Sequence, residues 1–168
     1  MKEYQLIKEY YGNKTTSRSG IELINHIDEG LIILDEIGAS EIAKKAYCLH
    51  PLVQSDECLS ENYGFDFTEI NSKVLIAAIE YRSVANEYLS NKKISNSNVI
   101  RLSPLKDVND MLIADKIQNR KDFELYHKAT HPRSIELDQY FKNWLQKLNI
   151  KESFYQEIIT MLKNVSQS

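Results

Sequence analysis

Apolar residues recur at the spacing of an α-helix along nearly the whole chain, and this repetition limits the fold more than any other feature. Leu23, Ile24, Ile27, Leu31 and Leu34 form one such stripe, and Ile70, Val74, Leu75, Ala78, Val84 and Tyr88 form another within a helix expected over 68–90. Residues 2–11, 104–126, 134–148 and 151–165 read the same way. Gly38 suits a helix stop, and Ser40 followed by Glu41 suits the next start. That next helix runs through Ile42, Ala43, Ala46 and Leu49. Pro51 removes a backbone donor and disfavours helical conformation at His50, so the helix is expected to kink or end there. Residues 52–66 are expected to be irregular, with a turn at Tyr63-Gly64, and 91–102 to be a polar loop. Pro104 fits a first helical turn, and His131-Pro132-Arg133-Ser134 breaks the chain again.

The 168 residues are enough for one domain with a real core, and nothing in 1–168 marks a linker, a repeat or a long heptad run. Only 5 Gly and 3 Pro argue against a loop-rich β-sandwich or a disordered chain. The expected fold is an all-α bundle of about six to eight helices. A net charge of −3 gives no basic excess to neutralise a phosphate backbone. Polymeric nucleic acid is therefore not an expected partner, while a local basic cleft for a small anion stays open. Two cysteines, Cys48 and Cys58, make no disulfide framework. The start Met1-Lys2-Glu3-Tyr4 has no apolar signal core, and no apolar run approaches the ~18 residues of a membrane span. A cytoplasmic protein without a membrane partner is expected.

Three residues from separate helices stand out: His26, His50 and Asp115. Two imidazoles and a carboxylate suit a divalent metal of the Mn, Fe or Zn kind better than Ca. Taken singly, each is more often a core histidine or a solvated acid. Their surroundings sharpen the reading. Ser19-Gly20-Ile21-Glu22-Leu23-Ile24-Asn25-His26, Ala46-Tyr47-Cys48-Leu49-His50 and Ile113-Ala114-Asp115-Lys116-Ile117-Gln118-Asn119 occur in order. Together they resemble the three metal-binding segments of RelA/SpoT-type hydrolases and their small single-domain relatives in the HD-domain superfamily. The resemblance covers about residues 13–148, and the third segment is the most specific.

The resemblance implies a compact HD-like helical domain in which one Mn ion activates water to remove pyrophosphate from a guanosine alarmone. It implies that His26, His50 and Asp115 are metal ligands. Arg18 and Ser19 fall where the family contacts the guanine base, and Asn119 and Lys121 fall near the sugar and phosphates. Lys116 adds to the positive charge available for phosphate.

The pattern breaks after the second histidine. The family's metal-binding Asp is Pro51 here, and the following acidic pair matches Gln54 and Ser55. An amide and a hydroxyl are poor general acids and bases at neutral pH. Asp56 and Glu57 are the tentative replacements, if the loop swings one of them inward. Glu80 is the other acid in reach, and a surface ion pair is the simpler reading for it. His127 and His131 read as a capping and packing group, and Trp144, Tyr140 and Phe141 as core. The last helix, with Phe154, Ile158, Ile159 and Leu162, is expected to pack on that core or to mediate a homodimer.

Three functions follow as alternatives. The first is a divergent metal-dependent phosphohydrolase acting on a purine nucleotide. The second is a protein that binds or sequesters a nucleotide without cleaving it. The third is a protein-interaction module on the same fold.

Overall fold

A computed structural model of the chain describes residues 1–17, 19–62, 67–89 and 95–165. Eight α-helices account for most of them: α1 Lys2–Tyr11, α2 Ile24–Glu36, α3 Glu41–Val53, α4 Asp56–Glu61, α5 Ser72–Glu87, α6 Lys106–Asp122, α7 Ser134–Lys147 and α8 Glu152–Val165. Among the described residues there is no strand, only an isolated bridge between Thr15 and Glu22. The described residues form an all-α bundle of eight helices, within the six to eight that the periodicity predicts. No described helix is long and apolar enough to cross a membrane.

The bundle is built around α3. Residues 46–53 are buried without interruption, and a helix apolar on every side belongs in the middle of its neighbours. It packs on α1, α2, α5 and α6. Ser40 caps its start, its Oγ accepting from the Ala43 N–H at 3.1 Å. Gly38, at φ 65°, supplies the left-handed turn that separates α2 from α3.

The helix does not end at His50: α3 continues through Pro51 to Val53. Proline at 51 leaves the Tyr47 carbonyl, four residues back, without its helical donor. That carbonyl accepts from Nδ1 of His50 at 2.6 Å instead, so the helix loses a backbone bond without leaving an orphaned acceptor. The irregular stretch expected after Pro51 also holds a short helix, α4. Its N-cap Ser55 accepts from Cys58 N–H at 3.1 Å, and Asp56 and Glu57 lie in its first turn. The turn at Tyr63-Gly64 lies outside the described residues.

Later boundaries shift by a few residues. Helix α5 begins at Ser72, behind an Asn71 cap. Pro104 lies two residues ahead of α6 rather than in its first turn. Within the polar loop, 91–94 lie outside the described residues and Ser97–Val99 form one 3-10 turn. Beyond Asp122, α6 widens into a π turn over Phe123–His127, closed by Lys128 N–H to the Phe123 carbonyl at 2.7 Å. Helix α8 buries Ile158, Ile159 and Leu162. It is tied to α6 where Arg120 grips Glu152 at 2.7 and 2.9 Å, with the Arg120 guanidinium 4.0 Å above the Tyr155 ring.

One contact sets how closely α2 and α3 approach. A Cβ on Gly30 would lie 2.1 Å from Cε1 of Tyr47, whose side chain is fully buried. Only glycine leaves room for that ring. Gly30→Ala is expected to lower stability by roughly 1–3 kcal/mol through overpacking, measured by urea unfolding. An unchanged midpoint would contradict this packing.

Candidate functional site

The three residues singled out in the sequence converge. His26 in the first turn of α2, His50 near the end of α3 and Asp115 in mid α6 each place a ligand-type atom within 4.8 Å of the others. His26 Nε2 lies 3.7 Å from Asp115 Oδ1.

Hydrogen bonds fix the tautomer of both rings. Gln118 spends its amide N–H groups on Glu29 at 3.2 Å and Asp122 at 2.8 Å. Its oxygen is therefore the atom that faces His26 Nδ1, at 2.7 Å, and Nδ1 must carry the hydrogen. His50 Nδ1 donates to the Tyr47 carbonyl, so it too carries its hydrogen on Nδ1. In the neutral tautomer set by these bonds, Nε2 is the ring nitrogen with the lone pair, the form in which histidine binds a metal or accepts a proton.

Tyr47 completes this group. Its hydroxyl lies 3.2 Å from His26 Nε2 and 3.4 Å from the His26 carbonyl. Its ring stacks at a tilt on both imidazoles, 5.5 Å from His26 and 4.8 Å from His50 between centroids. Asp115 is equally committed. Oδ1 accepts from the Asn119 amide at 2.7 Å, and Oδ2 pairs with Lys116 at 2.9 Å. The Lys116 ammonium is itself buried, 5.0 Å from the centre of the Trp144 ring and 5.6 Å from that of Tyr140.

Burial, helped by the neighbouring His26, pushes His50 down to about 3, so it is neutral at pH 7. Burial works to raise Asp115, but Lys116 and the two imidazoles outweigh it and hold the carboxyl at about 2. Burial drives the Tyr47 and Tyr81 phenols well upward, and the Asp115 charge adds to both.

The tentative acids stay outside. Asp56, with 90% of its side chain exposed, pairs with Arg82. The exposed Glu57 carboxylate is held by Ser55 and its own N–H at the start of α4. Both serve the helix terminus, where acids are favoured, and neither joins the histidine cluster. Glu80 accepts from Ser103 Oγ at 2.9 Å, in keeping with a structural role. Two imidazoles and one carboxylate are a set that divalent transition metals accept. Here the carboxylate of that set, among the described residues, is paired with Lys116, Pro51 offers no donor, and the Tyr47 hydroxyl faces His26 Nε2.

At Asp115 the cluster meets a cleft of about 380 Å³ lined by Thr16, Ser19, Gln54, Lys116 and Asn119 among others. Ser19 and Asn119 thus lie where a ligand beside Asp115 would touch them. The loop carrying Ser19 is folded back by Thr16 N–H to the Ile21 carbonyl at 2.8 Å, with Gly20 at φ 71° making the turn. Arg18 lies outside the described residues. Lys121 does not reach this cleft. Its ammonium is held by Glu29 at 2.5 Å and Asp122 at 2.9 Å, and it lines a separate hollow of about 310 Å³.

Sequence reasoning missed Tyr47 and Gln118 as orienting groups. Each lies three residues from a cluster member on its own helix, the spacing that places side chains on one face. It read His127 and His131 as a capping and packing group; His131 does accept from the Arg133 N–H at the start of α7, and both residues also line the cleft. The chain matches no family model, no curated protein and no solved structure.

A pH dependence follows from His50. The folded state keeps it neutral down to about 3, while the unfolded chain takes up its proton near 6.5. Stability therefore falls as pH drops below about 6.5. Asp115 adds a further loss as pH falls from its usual 3.8 towards about 2. The urea midpoint is expected to be lower at pH 5 than at pH 7, with a smaller difference in His50→Asn. Equal midpoints for the wild type at the two pH values would contradict a buried neutral His50.

Proposed function

We propose that this chain is an HD-like domain that holds a purine nucleotide, with a guanosine alarmone as the leading candidate, in the cleft beside Asp115 and does not hydrolyse it. The observation that carries this reading is the state of the acids. Among the described residues Asp115 is the one carboxylate in the histidine cluster, and Lys116 pairs with it. Asp56, Glu57, Glu80 and Asp122 are engaged elsewhere, so among the described residues no unpaired acid stands ready to take a proton from an attacking water.

The cleft supports the choice of ligand. Its volume falls in the range of small-molecule sites, roughly 300–1,000 Å³. It combines polar groups at Ser19, Gln54 and Asn119 with aromatic walls at Phe123, Tyr140 and Phe141, surfaces suited to a heterocycle. Ser19 and Asn119 also fall at positions that the resemblance to the alarmone hydrolases assigns to the nucleotide.

A second reading, the metal-dependent phosphohydrolase, is favoured by one observation: His26, His50 and Asp115 each offer a ligand-type atom within 4.8 Å of the others, and both histidines use Nδ1 elsewhere. In that case His26, His50 and Asp115 would hold the metal, and its chemistry would be to acidify a bound water.

The two readings separate when the protein is incubated with Mn and a guanosine 3′-pyrophosphate alarmone. Saturable binding with the ligand recovered intact is the expected result, and release of pyrophosphate would contradict it. Absence of binding to any guanine nucleotide would overturn the ligand class. Asn119→Ala is expected to weaken binding about tenfold, the equivalent of ~1.4 kcal/mol and one good hydrogen bond.

A further inference from the structure

The cleft has a wall that neither the cluster nor the resemblance accounts for. His127 and His131 both line it, together with Phe123, Leu137, Tyr140 and Phe141. They come from the end of α6 and the turn that follows it, and the local backbone explains why they meet the cleft.

His127 lies twelve residues beyond Asp115. At about 100° per residue an unbroken α-helix would carry it about a third of a turn away from the Asp115 face. The π turn over Phe123–His127 advances less per residue, and this brings His127 back towards that face. Single π turns inside helices occur frequently at functional sites.

His131 is fixed by a different contact. Its Nδ1 accepts from the Arg133 backbone N–H at 3.1 Å. A neutral ring that accepts at Nδ1 carries its hydrogen on Nε2. The outer nitrogen is thus a donor on a residue of the cleft wall.

The acids of the cleft are engaged. Asp115 pairs with Lys116 at 2.9 Å, and Asp122 pairs at 2.9 Å with Lys121, which it shares with Glu29. Among the described lining residues, neither carboxylate is without a cationic partner. The aromatic side chains of the same cleft are braced against one another, Phe123 against Phe141 at 5.6 Å and Tyr140 against Phe141 at 5.2 Å between centroids.

We propose that His127 and His131 form the phosphate-binding edge of this cleft and select a nucleoside phosphate over the bare nucleoside. The nucleoside part of this statement rests on the nucleotide reading above; the phosphate part stands on the histidine wall alone.

Calorimetric titration of the full chain with GDP, guanosine and inorganic pyrophosphate tests it. His131→Asn keeps an acceptor for the Arg133 N–H but withdraws the outer ring nitrogen, and His127→Ala removes the other imidazole. The wild type is expected to bind GDP at least about tenfold more tightly than guanosine, the worth of one to two hydrogen bonds. Each single variant is expected to lose part of that preference, and the double variant to bind GDP and guanosine alike, with far-ultraviolet circular dichroism unchanged. A double variant that folds and keeps the full preference would overturn the proposal, as would a wild type with no preference. Pyrophosphate binding that depends on both histidines, in a protein that binds no nucleoside, would support this edge and overturn the nucleotide reading instead.

Discussion

The hydrogen bond from His50 Nδ1 to the Tyr47 carbonyl is the contact on which the rest of the site depends. Pro51 makes that carbonyl available by withholding the N–H that would normally reach it. Pro51 thereby supplies the acceptor that fixes His50 as a neutral Nδ1–H tautomer. With its carbonyl engaged, Tyr47 remains within a continuous helix, its ring seated over Gly30 and its hydroxyl against His26. Changing any of Gly30, Tyr47, His50 or Pro51 disturbs the other three.

Helix α6 is the second support. It carries an unusual number of buried polar groups for a helix in mid-bundle, among them Asp110, Asp115, Lys116, Gln118, Arg120 and Lys121. Each of its three buried cations meets acids: Lys116 meets Asp115, Lys121 meets Glu29 and Asp122, and Arg120 meets Glu124 and Glu152. Buried pairs of this kind add little net stability, because desolvation offsets much of their attraction. They are costly to break one partner at a time. Their consequence here is positional: they set the rotation of α6, and so place Asp115 and Asn119 on the cleft, while Lys121 is turned to Glu29.

The helical plan was legible because it rests on apolar spacing, and spacing is a property of the sequence alone. The convergence of His26, His50 and Asp115 was legible for a related reason, since each lies in a segment with its own local pattern. What escaped depends on contacts between distant parts of the chain. The continuation of α3 through Pro51 required knowing that His50 would donate to Tyr47. The exclusion of Lys121 from the cleft required knowing that Glu29, 92 residues earlier, would claim it. Asp56 and Glu57 looked like spare acids near the site, yet a serine before them made them the first turn of a new helix. The π turn that aims His127 has no simple sequence signature at all.

The proposed reading requires that the cluster of His26, His50 and Asp115, with Tyr47 and Lys116 packed against it, holds no divalent metal. Titrating the wild-type protein with Mn and following the free-ion signal by electron paramagnetic resonance tests this most directly. The account predicts that stoichiometric protein leaves the free Mn signal essentially undiminished at micromolar concentrations. Capture of one Mn per chain, lost again in His26→Ala, would contradict it and restore the metal-dependent reading of the site.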